Sequence, residues 1–458
     1  MSCTTANEPL DPADSPQSHN DATVNPCTLC ASLGAALASA GVAGALPLLH
    51  GAQGCATYIR RYLISHFREP MDIASSSFGE SETVLGGEAN LHRALDNIGR
   101  QYQPALVTVA TTCLAETIGE DVARLLRAYE HQRGPSFRMV SAQTPSFKDG
   151  HVEGFHTMVR ELVRSLATTR GRATGGLNIL PPIVSPADLR HLREIVTGYG
   201  ISPILLPDYS DTLDGVILDH YSPLPAGGTP LAEIADMSRS VVTLDLTLTG
   251  HAARASAILA ERGSPTTVLG LPIGVRACDA FTDAVAQVAE KDMPPWLAGE
   301  RGRLLDAYAD GHKYVFGKRV ARYGDPELVV ALAGFLVEIG AKPVVAATGA
   351  RNRALTAALA GLPEGSVEEI LDDTDFATIA AACRRTKPDL IMGSSKGYRM
   401  ARSLGAPLLR LGFPIHDRLG AGRILHVGYR GTMQLFDSFV NTLLATRQDA
   451  SPIGFSYL

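Results

Sequence analysis

NPCTLCASLGAALASAGVAGALPLLHGAQGCATYIRRYLISHFR, Asn25 to Arg68, sets how the rest of the chain is read. It holds three of the seven cysteines. After Leu33, the small residues Gly34, Ala35, Ala36, Ala38 and Ala40 predict a tightly packed helix. Gly41 to Leu49 reads as a turn and a short strand, and Gly54 to Phe67 as a second helix that Glu69-Pro70 ends. Between them lies His50-Gly51-Ala52-Gln53-Gly54-Cys55, which reads as a cradle for a metal cluster. Gly51 and Gly54 have no Cβ, so backbone there can approach inorganic sulfide.

Outward from this stretch the chain alternates strand and helix. Ala105 to Ala110 is an apolar, β-branched run, expected to be a buried parallel strand, and Thr111-Thr112-Cys113 lies at its carboxyl end. One helix is expected next, with Glu116, Glu120 and Asp121 early in it, as the helix dipole prefers. Further strands are expected at Phe137–Val140, Leu177–Leu180, Pro203–Leu206, Ser240–Leu244, Thr266–Leu269, Tyr314–Phe316, Pro343–Ala346, Leu390–Met392 and Pro407–Leu411. A mostly helical passage spans about Arg276 to Asp310, and a last helix about Thr432 to Thr446. This rhythm predicts an α/β fold of three doubly wound, parallel-sheet (Rossmann-like) domains. The expected divisions are a loose tail at 1–24, a cluster-binding domain at 25–172, a second domain at 173–310 and a third, with the C-terminal helix, at 311–458. The first boundary is the Gly-rich junction from Arg170 to Gly176.

Composition narrows the function. At 458 residues, with 45% hydrophobic and 19% charged, the chain has material for two or three cores. Net charge is -6, of which Glu8, Asp11, Asp14 and Asp21 supply four charges in a tail without Lys or Arg. The rest is close to neutral, which argues against nucleic acid as a partner. No apolar run reaches bilayer length, and the N-terminus lacks the basic-then-apolar pattern of a signal peptide. A cytoplasmic protein with no membrane partner is expected. Seven cysteines over a long chain favour metal ligation or buried thiols over a disulfide framework.

Ligands of open α/β sheets gather at the carboxyl ends of strands. Cys113 meets that condition, and Cys30 and Cys55 each open a helix. Helix N-termini lower thiol pKa and suit an anionic iron–sulfur cluster. The spacings, 25 residues from Cys30 to Cys55 and 58 from Cys55 to Cys113, match neither compact ferredoxins nor zinc ribbons. Three thiols fall short of a four-ligand cubane. The remainder must come from Cys27, a nearby hydroxyl or backbone group, or another subunit, and a cluster shared across an interface is the natural reading. The bland alternative is three buried packing thiols. Cys27-Thr28-Leu29-Cys30 also reads as a redox or zinc CxxC, although no second CxxC is present. Cys278 and Cys383 are expected to be packing thiols.

After residue 24 nearly the whole chain resembles the β-type chains of nitrogenase component 1, a family that includes cofactor-assembly scaffolds. The resemblance is carried by Cys30-Ala-Ser-Leu-Gly-Ala, His50-Gly-Ala-Gln-Gly-Cys55, His66-Phe-Arg-Glu-Pro70, Thr111-Thr-Cys-Leu-Ala-Glu116, Thr144-Pro-Ser-Phe147, Gly412-Phe-Pro-Ile-His-Asp-Arg418 and Gly428-Tyr-Arg-Gly431. It implies that Cys30, Cys55 and Cys113 ligate half of a P-cluster-like [8Fe-7S] cluster, and that Ser146 ligates iron when that cluster is oxidised. It further implies an α-type subunit holding the active-site cofactor in an α2β2 heterotetramer, and an ATP-dependent [4Fe-4S] iron protein as electron donor. Val84-Leu85 falls where the family presents a phenylalanine to that donor; the plain alternative is a buried leucine. Stretches such as Leu206 to Gly215 look closer to the scaffold's β-type chain, which supplies as little as one ligand to a [4Fe-4S] cluster. Together these imply the β subunit of a nitrogenase-like oxidoreductase, such as methylthio-alkane reductase, or alternatively a scaffold for iron–molybdenum cofactor biosynthesis.

Other residues read more plainly. Tyr58, Arg60, Arg61, Tyr62, His66 and Arg68 suggest a partner or cluster-flanking face. Gly393-Ser-Ser-Lys-Gly397 follows a strand and suggests an anion site without Walker A spacing. His416 and Asp417 read as an acid/base pair or as interface lining, and His50 as a hydrogen-bonded structural histidine.

Overall fold

The computed structural model describes residues 27–453, apart from 135, 172–174, 218, 221, 251–253 and 364. The expected tail at 1–24 lies outside the described residues, as does part of the Gly-rich junction. Thirteen described strands make three wholly parallel sheets. The first contains β1 (Ala45–His50), β2 (Ala74–Ser75), β3 (Leu106–Thr111) and β4 (Arg138–Ala142), in the order β2-β1-β3-β4. The second contains β5 (Leu177–Leu180), β6 (Pro203–Leu205), β7 (Val242–Asp245) and β8 (Thr266–Val268), ordered β6-β5-β7-β8. The third contains β9 (Arg319–Tyr323), β10 (Lys342–Ala347), β11 (Glu369–Leu371), β12 (Leu390–Gly393) and β13 (Leu408–Arg410), ordered β11-β10-β9-β12-β13. Each order reverses once, between β1 and β3, β5 and β7, or β9 and β12. The crevice at such a reversal is where open α/β sheets bind ligands. The expected α/β class with three parallel sheets holds.

In the first sheet every residue of β1 and β3 is buried, as strands covered on both faces must be. Their register pairs His50 with Thr111, so the two strands end level. Seven helices accompany this sheet: α1 (Ala31–Ala40), α2 (Gln53–Phe67), α3 (Glu80–Leu85), α4 (Glu88–Gln101), α5 (Cys113–Thr117), α6 (Val122–Arg133) and α7 (His151–Leu166). The small residues of α1 do what their size predicts. A Cβ on Gly34 would lie 1.7 Å from the His151 carbonyl oxygen, and one on Gly154 would lie 1.9 Å from that of Ala31. Helices α1 and α7 therefore meet backbone to backbone, and only glycine fits at the crossing. Around it Leu33, Leu37, Phe155 and Leu162 are buried in the main core. Each contributes roughly 1.5–3 kcal/mol by leaving water.

Two expectations need correcting. The helix after Cys113 is two helices, α5 and α6, broken at Gly119, whose φ of +76° lies in the left-handed region. Asp121 then caps α6, accepting the Arg124 N–H at 3.0 Å. Tyr314–Phe316 is not a strand. Tyr314 and Val315 end the long helix Pro295–Val315, and the strand begins four residues later, at Arg319. The C-terminal helix, Gly428–Asp449, packs against Pro295–Val315.

Candidate metal centre

Cys30, Cys55 and Cys113 stand in the first turns of three helices. Cys30 is the N-cap of α1, Cys55 the third residue of α2, and Cys113 the first of α5. Two of these helices leave the first sheet at its reversal, α2 from β1 and α5 from β3. Cys30 is brought alongside by an antiparallel bridge with Gly150, just ahead of α7. All three thiols are exposed. They also feel one another: the Cys55 thiol is pushed up, chiefly by burial and then by the charges of Cys30 and Cys113. Thiolates within electrostatic reach of one another repel, a cation among them relieves that repulsion, and a bound metal deprotonates its thiol ligands. Among the described residues no three His, Cys, Asp or Glu side chains close around a single ion. The donor set is soft and spread over a surface, which suits iron–sulfur chemistry better than one zinc ion.

A polar network fixes the three turns. Thr112 donates its N–H and its hydroxyl to the His50 carbonyl, at 3.0 and 3.1 Å, and so ties the Cys113 turn to the end of β1. The Thr111 hydroxyl donates to Glu116 Oε1 at 2.5 Å and accepts the Thr144 N–H at 2.8 Å. That leads to Ser146, whose Oγ accepts the Ala31 N–H at 3.0 Å. Ser146 is thus placed at the start of α1, beside Cys30. His50 is fully buried, with Nε2 2.5 Å from Glu120 Oε2 and Nδ1 3.1 Å from Ser76 Oγ. Burial holds its pKa below the usual range, although Glu120 acts the other way. It is the structural histidine expected. Gly51, at φ +155°, donates its N–H to Ser76 Oγ, and a Cβ there would lie 1.8 Å from Thr112 Oγ1. Close packing of the two turns therefore demands this glycine. Gly54 faces open space, with no atom within 4 Å of a would-be Cβ.

Other candidates fall elsewhere. Cys27 is buried in the core of the third sheet, where burial pushes its thiol up to about 12. Its side chain is packed in that core while Cys30 is exposed, which argues against a zinc CxxC or a shared ligand pair. Cys278 and Cys383 are buried packing thiols, as expected. His66 is not on the basic aromatic face: it is buried between Phe67 and Phe413, and Nδ1 accepts the Ile415 N–H at 2.8 Å. Tyr58, half exposed, packs on Tyr62, and Tyr62 on His416. His416 and Asp417 are not an acid/base pair, because Asp417 is engaged by Arg410 at 2.7–2.9 Å. Val84 and Leu85, on α3, are 83% and 85% exposed, which removes the buried-leucine alternative.

Sequence reading missed how the approach to Cys30 is held. The Leu29 N–H points to His151 Nδ1 at 3.3 Å, His151 Nε2 lies 2.9 Å from Asp325 Oδ1, and Lys396 Nζ donates to the Thr28 carbonyl at 3.0 Å. Asp325 and Lys396 come from the carboxyl edge of the third sheet, about 300 residues or more downstream. A lysine after a strand was legible; its target was not.

With this geometry in place, comparison identifies the lineage. A family model for nitrogenase component 1 type oxidoreductases matches residues 30–444. The nitrogenase molybdenum-iron protein beta chain of Methanothermobacter thermautotrophicus is 36% identical over 434 residues, covering 92% of this chain and 94% of that one. The nitrogenase iron-molybdenum cofactor biosynthesis protein NifN of Rhodobacter capsulatus is 34% identical over 440 residues, covering 94% and 93%. Among solved structures, nitrogenase Cp1 at pH 6.5 superposes with a TM-score of 0.93 at 32% identity, covering 97% of this chain and 98% of that one. Among the described residues no helix is long and apolar enough to cross a membrane. The chain belongs to the nitrogenase component 1 family, as one of its β-type chains.

Proposed function

We propose that this chain is the β-type subunit of a nitrogenase-like reductase. In this reading Cys30, Cys55 and Cys113 ligate half of a P-cluster-like iron–sulfur cluster that an α-type subunit completes. Ser146 stands ready as an oxygen ligand beside Cys30, and Gly54 leaves room for the cluster and the partner. When bound, the cluster supplies one-electron storage and transfer. The chain's own residues hold the thiols in place, burying His50 and Glu120 beneath them and presenting the sulfurs outward. The observation that carries the reading is the meeting of three exposed thiols at the reversal of the first sheet. The exposed pair Val84 and Leu85 supports an apolar contact for an ATP-dependent iron protein. Exposed free thiols suit a reducing, cytoplasmic setting, and an α2β2 assembly follows from the family reading.

A second reading, the scaffold for cofactor biosynthesis, is favoured by the NifN relative. The complete set of three thiols and Ser146 favours the relay. Methylthio-alkane reduction fits a chain with scaffold-like middle stretches and a full thiol set, and its substrate would be handled on the α-type subunit. The deciding experiment is anaerobic co-purification with the α-type partner, followed by iron counting at the shared site. About eight irons per αβ unit supports the relay, and about four supports the scaffold. Absence of iron from that site sinks both.

A further inference from the structure

The loop Gly393 to Gly397 suggested an anion site, and the structure shows a different use for its lysine. The loop leaves β12 at the reversal of the third sheet. Gly393 and Gly397 lie flat against the Tyr323 ring, where a Cβ would be 2.5 and 2.2 Å from ring or hydroxyl atoms. Ser395 Oγ donates to the Pro414 carbonyl at 3.1 Å and accepts the His416 N–H at 3.0 Å. These contacts aim Lys396 across to the N-terminal segment, where its ammonium donates to the Thr28 carbonyl, two residues before Cys30. The same segment is held by the Cys27 N–H on the Thr374 carbonyl and by His151 on Leu29. Burial lowers the Lys396 pKa, and electrostatic coupling to Cys27 and Cys30 acts the other way. The other charge carried in by this edge, Asp325, lies against His151.

We propose that Lys396 is a positioning residue for the thiol site: it pins the Cys30 segment and sets a fixed positive charge beside the first sulfur, raising the reduction potential of the metal group bound there. This rests on the cluster reading above. The physical cause is general. A reduced cluster carries one more negative charge than its oxidised form, so a nearby cation in a partly dry site favours reduction.

The test uses the anaerobic αβ complex carrying Lys396→Met, which keeps the apolar stem, and Lys396→Arg, which keeps the charge. Iron content and the midpoint potential are read together, the latter by redox titration followed by electron paramagnetic resonance on whatever fraction carries iron. The Met variant should show a roughly tenfold shift of the redox equilibrium toward the oxidised form, about 59 mV more negative for one electron. The Arg variant should stay near the parent value. An iron-loaded Met variant with the parent potential overturns the assignment of Lys396 while leaving the cluster intact. A parent complex without iron at this site overturns the cluster reading itself, and this assignment with it.

Discussion

At the reversal between β1 and β3 the side chains that matter turn outward; at the one between β9 and β12 they turn inward. Both crevices are built by parallel strands that end level and by glycine-bearing loops. The first edge presents Cys55 and Cys113 to solvent. The third is closed by its own Tyr323, whose ring packs edge-on to Phe376 and whose hydroxyl donates to the Ser394 carbonyl. Its remaining reach goes into holding the Cys27–Cys30 segment. The same architecture therefore yields an edge that exposes thiols and an edge closed over its own side chains. Fold supplies the place, and the residue types at strand ends decide what is done there.

The sharpest way to break this contrast is at Cys55. In the αβ complex, Cys55→Ala should abolish or fragment the shared cluster, read as iron per αβ unit. Because the thiol is exposed, the stability of the metal-free chain should move by less than about 0.5 kcal/mol. An undiminished cluster signal refutes the ligand assignment. Next comes the contact that holds the first edge together. Gly34→Val forces a side chain into the His151 carbonyl and should cost about 3 kcal/mol or more, read as a lowered urea midpoint or as failure to fold.

A third test lies at the seam between the two edges. Burial first, and then His416, hold the His66 pKa down to about 3 against 6.5 for a free imidazole. Below about 6.5 the unfolded chain binds a proton that folded His66 refuses. Stability from this group is therefore complete above 6.5 and lost as pH falls toward 3. The loss is roughly 1.4 kcal/mol per pH unit, or about 2 kcal/mol at pH 5. Urea midpoints at pH 7.5 and 5 should separate more in the parent chain than in His66→Leu; equal separations would show that His66 is not the group responsible. The smallest effect is expected at the closed edge. Tyr323→Phe strips the Ser394 carbonyl of its donor and should cost about 1 kcal/mol in a denaturant titration, with iron content unchanged. Iron loss in that variant would erase the distinction between the edges.

Much of this was legible because local chemistry and tertiary role agreed. The β-branched run before Thr111-Thr112-Cys113 and the glycine-alanine run of α1 each point to one structure. The legible part stopped where they disagreed. Tyr314-Val315-Phe316 has strand-like side chains, yet the core-facing Leu304, Gly311 and Val315 carry the preceding helix through to Val315. The true strand, Arg319–Tyr323, was hidden by its arginines, one of which, Arg322, is fully buried and donates Nε–H to the Val329 carbonyl at 2.8 Å. Strand β2 has only two residues and β11 opens on Glu369, so neither shows a pattern. At the candidate metal centre, helix starts and strand ends marked the cysteines. The Thr111, Thr144 and Ser146 relay and the grip on Thr28 depend on partners that sequence distance conceals.

That grip has a consequence for biosynthesis. Lys396 and Thr28 are separated by 368 positions. At about 5–20 residues per second, a ribosome needs roughly 20–70 s to cross that interval. Cys30 is the earliest of the three thiols to leave the exit tunnel; its bridge to Gly150 and the Ser146 contact at Ala31 need only the first 151 residues, but the Thr28 end of its segment is held only once the final third of the polypeptide has emerged and docked. Under the proposed cluster reading, a nascent fragment cut short before Lys396 would present Cys30 on a segment still missing its last tie.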